Sequence, residues 1–270
     1  MSFNSRLAQI CQTKKSYVCV GLDVDIEKMP AFLRSEADPL YVFSKAIIEA
    51  TADYVAAFKI NIAFFEAYGK AGWDALERIV ASLPENVIRI ADAKRADIGN
   101  SSQRYAHAFL HAMPFDAITV NPYLGYDSVK PFIENTDKGA FILCITSNPG
   151  SNDFQHFNNG DEQLFEKVAR TVSHWNTLEN CGLVTGATHP EELARVRQLA
   201  PNLPLLIPGI GAQGGDLELS VKNALTSAND KALFNSSRGI IYSASDHSFA
   251  EKAGKSAGEL QRAINNALIF

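Results

Sequence analysis

Five residues of this sequence have the types and places to carry chemistry together: Asp23, Lys59, Asp92, Lys94 and Asp97. Asp23 follows the apolar run 17–22, Lys59 lies in the run 56–60, and the run 87–91 opens onto Asp92-Ala93-Lys94-Arg95-Ala96-Asp97. If these runs are strands, their period of two puts Asp92 and Lys94 on one side of the chain, facing inward if Ile88 and Ile90 do. Lys59 comes from the neighbouring strand and can join them. Lysines and aspartates then alternate in sign, and such a cluster tolerates burial where a lone charge does not. Most short Asp/Lys runs are solvated salt-bridge patches instead. Farther along, Pro208-Gly209-Ile210-Gly211-Ala212-Gln213-Gly214-Gly215 and Asn235-Ser236-Ser237-Arg238-Gly239-Ile240 fall at the last two apolar runs. Glycines there let backbone N–H groups approach a phosphate, and a guanidinium such as Arg238 grips phosphate through two parallel bonds.

Positioning these groups requires a frame, and the hydrophobic pattern supplies one. Short apolar runs recur at 17–22, 56–60, 87–91, 117–120, 140–144, 182–184, 205–207 and, more loosely, 233–241. Amphipathic stretches separate them, the signal of parallel β/α units. Asp38-Pro39 opens one helix, with Leu40, Phe43, Ile47 and Ala50 on a single stripe. Thr188 and Glu191 form a capping-box pattern before another. Phe249, Ala253, Leu260, Ile264 and Leu268 give a long final helix one apolar face. Eight such units close into a (β/α)8 TIM barrel, whereas an open doubly wound sheet usually has fewer strands and a G-x-G-x-x-G fingerprint after the first, which is missing here. The site of such a barrel lies in the loops after the strands' carboxyl ends. Three charged strand ends converge there, which favours a built site over a solvated patch.

The 270 residues fit a single barrel domain spanning 1–270, with no repeat or composition break. With 46% hydrophobic and 20% charged residues the chain can bury a large core. A net charge of -5 provides no basic field for nucleic acid or anionic lipid. The N-terminus lacks a signal-peptide pattern and no stretch approaches the roughly 20 apolar residues of a membrane span, so a cytoplasmic protein with neither nucleic-acid nor membrane partners is expected. Cys11, Cys19, Cys144 and Cys181 are scattered and read as buried reduced thiols. His107 and His111, four apart on a helix, lack a third metal ligand in the pattern, and no metal site is expected. Trp73 and Trp175 read as packing residues on helices. The polar stretch 146–162 reads as a mobile lid.

The run Asp92-Ala93-Lys94-Arg95-Ala96-Asp97-Ile98 resembles the D-x-K-x-x-D-I signature of the orotidine 5'-phosphate decarboxylase family, and the similarity extends over nearly the whole chain. Gly21-Leu22-Asp23, Phe58-Lys59, Asn121-Pro122-Tyr123, Thr146-Ser147-Asn148-Pro149-Gly150 and both glycine-rich loops occur in order at the expected strand ends. It is most similar to the longer bacterial branch. One departure is Ser101, where the family often carries threonine; serine keeps the hydroxyl. The resemblance implies a cofactor-free carboxy-lyase that converts orotidine 5'-phosphate to UMP, the last step of pyrimidine nucleotide synthesis. By the same resemblance Asp23 and Lys59 hold ribose hydroxyls, Lys94 donates the proton, and Asp92 lies against the substrate carboxylate. Ser147 contacts the pyrimidine. Gln213 and Arg238, with the amides of Gly214, Gly215 and Gly239, hold the 5'-phosphate. A homodimer is implied, with Asp97 and Ser101 contributed across its interface.

Loss of CO2 from C6 leaves a carbanion with no adjacent carbonyl to delocalise it, and the chain has no motif for an electron-sink cofactor. Fixed charges must then supply the stabilisation, with the Lys94 ammonium both stabilising the developing charge and protonating C6. Three other readings stay open. A metal-dependent sugar-phosphate decarboxylase or synthase also uses a D-x-K element, although the Ser147 and Gln213 motifs favour a nucleotide. A Schiff-base aldolase needs a neutral lysine in an apolar pocket, against which the neighbouring aspartates argue. A ligand-binding barrel without activity is disfavoured by the intact charged set.

Overall fold

The computed structural model describes residues 1–187, 190–210, 216–225 and 231–268. Eight strands appear in chain order: β1 (Val18–Leu22), β2 (Ala57–Asn61), β3 (Ile88–Arg95), β4 (Ala117–Val120), β5 (Gly139–Ile145), β6 (Cys181–Thr185), β7 (Leu205–Pro208) and β8 (Ala232–Ser236). Each pairs in parallel with the next, and β1 closes on β8 with Val18 opposite Phe234, giving the expected (β/α)8 barrel.

Alternation along the strands divides the core in two. Val18, Val20 and Leu22 of β1, Phe58 and Ile60 of β2, and Ala140 and Ile142 of β5 pack outward in a large cluster with the surrounding helices. Cys19, Ala57, Ile88, Ile90, Ala117, Phe141, Val184, Leu206 and Leu233 form a second, smaller cluster inside the barrel. Ile88 and Ile90 therefore do face inward, as the reading of Asp92 required. The same inner phase, continued toward the carboxyl ends, reaches Asp23, Lys59, Asn61, Asp92, Thr119 and Asn235. Small and apolar residues fill the lower layers and polar ones the uppermost.

The lower end is closed by a helix that the strand count did not anticipate, Phe3–Lys14, whose Phe3, Leu7 and Cys11 join the inner cluster. The Phe3 ring meets Phe141 edge-on with centroids 5.9 Å apart. Gly139 makes room for it, since a Cβ there would stand 2.3 Å from Phe3 Cδ1.

The helix signals hold where they can be compared. Asp38 caps Pro39–Thr51 by accepting from the Tyr41 N–H at 3.1 Å. The final helix, Phe249–Ala267, buries Phe249, Ala253 and Ile264. Thr188 lies outside the described residues; the helix near it is Pro190–Leu199. Trp73 and Trp175 pack against Phe109 and Tyr126. All four cysteines are buried and none is in a disulfide. Among the described residues no helix is long and apolar enough to cross a membrane.

Two boundaries need correction. The eighth apolar run, expected over 233–241, is a strand only to Ser236; Ser237 turns the chain at φ -113 and ψ -90, and Arg238–Ile241 is a helical turn. Arg238 thus begins a helix rather than ending a strand, because the chain leaves the ladder at Ser237, just after Asn235 and Ser236 have paired with β1. Conversely, the charged residues expected after the third run belong to it: β3 continues through Asp92, Ala93 and Lys94 to Arg95.

Candidate active site

The charged side chains arrive from adjacent strands, Lys59 on β2 and both Asp92 and Lys94 on β3, and the meeting of Lys59 with Asp92 follows from barrel register. Lys59 is opposite Ile90 and Asn61 opposite Asp92 in the β2–β3 ladder, so Lys59 and Asp92 start from neighbouring positions on the inner face. Lys59 Nζ lies 2.5 Å from Asp92 Oδ2, and Lys94 Nζ lies 2.5 Å from Asp92 Oδ1. One carboxylate thus bridges two ammonium groups. Lys59 and Asp92 are buried, while half of the Lys94 side chain remains exposed.

Burial and charge oppose each other here, and charge prevails. Desolvation would raise the Asp92 carboxyl, but Lys59 and Lys94 outweigh it and hold it well below the usual carboxylate range. Desolvation would likewise depress Lys59, yet Asp92 and Asp23 raise it above an ordinary lysine. Both groups are therefore charged across the neutral range. Beneath them burial pushes the Cys19 thiol up to about 12, so it contributes no charge.

The backbone at Lys94 is unusual. Its φ of 47° lies in the left-handed region, uncommon for a residue with a side chain. Between Ala91 and Arg95 the β3–β4 register shifts: β3 advances from Ala91 to Arg95 while β4 advances only from Ile118 to Val120. The Lys94 N–H donates instead to Thr119 Oγ1 at 2.9 Å, and that hydroxyl donates to Asp92 Oδ1 at 3.1 Å. The extra residues are the local cause of the turn that aims Lys94 back at Asp92.

Lys59 and Asp92 border a cavity of about 190 Å³ that is also lined by Asp23, Asn61, Asn235, Ser237 and Arg238, among others. Asp23 Oδ1 and Asn235 Oδ1 are both buried without a hydrogen-bond partner. Two unsatisfied acceptors bordering one cavity suit a ligand carrying hydroxyl or amide donors.

Of the residues expected from the sequence, Asp23, Lys59, Asp92 and Arg238 line this cavity and Lys94 is bonded to Asp92. Asp97 and Ser101 are not gathered with them: Asp97 Oδ1 accepts from the Ile98 N–H at 2.8 Å, and Ser101 is exposed on the helix Gly99–His107. Ser147 is half-buried just after β5, close to Gly186, and Gly239 is exposed in the turn after β8. Gln213, Gly214 and Gly215 lie outside the described residues. In the stretch 146–162, Gln155 Oε1 accepts from the Thr146 N–H at 2.8 Å, and the helix Ser151–Phe154 leaves Phe154 exposed. His107 and His111 stack at 5.6 Å, and among the described residues no group of three metal-ligating side chains forms.

Thr119, Asn61 and Asn235 escaped the sequence reading. The signal was available, since each continues the inner phase of its strand (Ala117 to Thr119, Lys59 to Asn61, Leu233 to Asn235), but none carries a charge to mark it, and Asn61 falls just past the run 56–60.

The orotidine 5'-phosphate decarboxylase / HUMPS family model matches residues 16–253. An orotidine 5'-phosphate decarboxylase from Dehalococcoides mccartyi is 48% identical over 270 residues, with 98% of each chain covered. One from Christiangramia forsetii is 48% identical over 259 residues, covering 94% of each. The solved structure of Leishmania donovani OMP decarboxylase superposes with a TM-score of 0.84 at 40% identity, over 98% of this chain and 99% of that one.

Proposed function

The chain belongs to the orotidine 5'-phosphate decarboxylase / HUMPS family and decarboxylates orotidine 5'-phosphate to UMP; we propose that fixed charges centred on Lys94 carry that reaction. The C6–carboxylate bond breaks, CO2 leaves, and the electron pair stays on C6. The Lys94 ammonium stabilises that pair and passes it a proton, becoming a neutral amine that solvent reprotonates. Asp92 holds both ammonium groups and turns negative charge toward the substrate carboxylate, which favours departure as neutral CO2. The observation that carries this reading is the bridge of Lys59 and Lys94 through one buried carboxylate, each ammonium 2.5 Å from it.

Around that centre, the unsatisfied Asp23 Oδ1 and the Lys59 ammonium take ribose hydroxyls, and Ser147 meets the pyrimidine. Arg238 and the Gly239 amide hold the 5'-phosphate together with Gln213, Gly214 and Gly215, assigned by their place after β7 in the sequence. The stretch 146–162 acts as a lid over the bound nucleotide. The protein works as a homodimer in which Asp97 and Ser101 reach the partner's site. Ile98 beside Asp97, and Tyr123 and Tyr126 after the neighbouring β4, exposed at 59%, 81% and 47%, supply the apolar surface an interface needs. Four reduced cysteines accord with a cytoplasmic setting.

Lys94→Ala tests the central assignment. Conversion of orotidine 5'-phosphate to UMP is followed by absorbance, and kcat should fall by roughly a thousandfold or more, because proton donation and charge stabilisation vanish together. A variant that retained more than about a tenth of wild-type kcat would overturn Lys94 as the proton donor, since general-acid catalysis alone is ordinarily worth more than that.

A further inference from the structure

Thr119 has its hydroxyl committed twice. It is 1% exposed at the end of β4, its single proton goes to Asp92 Oδ1 at 3.1 Å, and it accepts the Lys94 N–H at 2.9 Å. Asp92 Oδ1 is also the oxygen that receives the Lys94 ammonium at 2.5 Å. Thr119, Lys94 and Asp92 therefore close a small ring in which both ends of Lys94, backbone and side chain, are referred to one hydroxyl.

We propose that Thr119 is the positioning residue for the proton donor, a role that rests on the assignment of Lys94 above. The register shift after Ala91 takes the Lys94 N–H out of the strand ladder, and φ of 47° must be held against its intrinsic cost. A partly buried N–H without an acceptor would add to that cost. The Thr119 hydroxyl removes this penalty and fixes the backbone from which the Lys94 side chain returns to Asp92. Its β-branched side chain has a restricted χ1, so the acceptor is held still. A hydroxyl is the group required: its single oxygen donates to a carboxylate while accepting from an amide. Thr119 is buried with its hydroxyl committed to Lys94 and Asp92, so it acts through them rather than on the nucleotide.

The test compares Thr119→Val, which keeps the shape and loses the hydroxyl, with Thr119→Ser, which keeps the hydroxyl. Thr119→Ala paired with Thr119→Ser replaces that comparison if the valine variant does not fold. Measured for each are kcat and KM with orotidine 5'-phosphate, Kd for UMP, and Tm, with Lys94→Ala alongside. Thr119→Val should lose about a hundredfold in kcat, the scale of a misplacement near 1 Å, while KM and the UMP Kd stay within about threefold. Thr119→Ser should recover kcat to within about threefold of wild type, because the shared hydroxyl is restored. Wild-type kcat in folded Thr119→Val would overturn the proposal. So would a serine variant as slow as valine, or a loss of UMP affinity matching the loss of kcat, since each marks a packing role. Should Lys94→Ala keep its turnover, the assignment of Lys94 is what fails, irrespective of the Thr119 results.

Discussion

A carboxylate with an ammonium 2.5 Å from each of its oxygens, as Asp92 has, resists protonation well below the usual carboxylate range. Such a shift is also a statement about stability. The unfolded Asp92 protonates near its reference value of about 3.9, and its folded pKa lies lower. Its contribution is therefore complete above about pH 4 and is lost progressively as pH falls from there toward the folded value. Asp92→Asn removes the partner of the buried Lys59 ammonium, a change that ordinarily costs about 3–5 kcal/mol. Urea unfolding near neutrality should show a gap of that order between wild type and Asp92→Asn, narrowing below about pH 4 as the wild type loses what the variant already lacks. A gap that widened on acidification would mean that the folded carboxylate is easier to protonate than the unfolded one, contrary to the bridged geometry.

At the scale of elements, the two ends of the barrel do separate jobs. The carboxyl end holds the charged network, and the helix Phe3–Lys14 seals the other end with Phe3, Leu7 and Cys11. Phe3→Ala should therefore destabilise the fold by about 3–5 kcal/mol, as loss of a fully buried phenylalanine does, with kcat and KM unchanged at temperatures where the variant is folded. A large fall in kcat at unchanged Tm would show instead that the plug communicates with the site. That helix illustrates what the sequence hid. Phe3, Leu7 and Cys11 recur at helical spacing, but a helix before the first strand lies outside the β/α repeat that organised the reading. The repeat itself was legible because each strand alternates an outward residue, such as Phe58, with an inward one, such as Ala57. Asp92 was legible for the same reason, as the inward position after Ile88 and Ile90, whereas Lys94 was legible by its charge two residues on and not by alternation. What escaped was geometry that period two does not encode: the register shift after Ala91, the left-handed Lys94 and the hydroxyl of Thr119 that supports it. The turn at Ser237, which converts the end of the eighth run into a helix, escaped for a similar cause, since Ile240 and Ile241 are equally apolar in either state.

On the scale of the whole molecule, one chain assembles Lys59, Asp92 and Lys94 but leaves Asp97 apart from them, beside exposed Ile98. The loops after β3 and β4 form one surface here. Arg95 accepts from the Asn121 N–H at 3.0 Å, and Ser102 donates to the Ser128 carbonyl at 2.6 Å. A two-fold axis through this face would carry each Asp97 into the opposite site, with Lys94 serving its own chain. Complementation distinguishes that arrangement from a self-contained site. In a mixed dimer of Lys94→Ala and Asp97→Ala chains, one site receives both lesions, while the other combines native Lys94 with native Asp97 from the opposite chain. Equal amounts reassorting at random make roughly half the dimers mixed, so roughly a quarter of all sites should regain wild-type activity. Each parent alone should be nearly inactive. Subunit exchange is followed by native mass spectrometry, so that a lack of recovery cannot be blamed on a lack of mixing. If mixed dimers form and activity stays at the parental level, Asp97 serves its own chain. The exposed apolar face around it would then need another occupant.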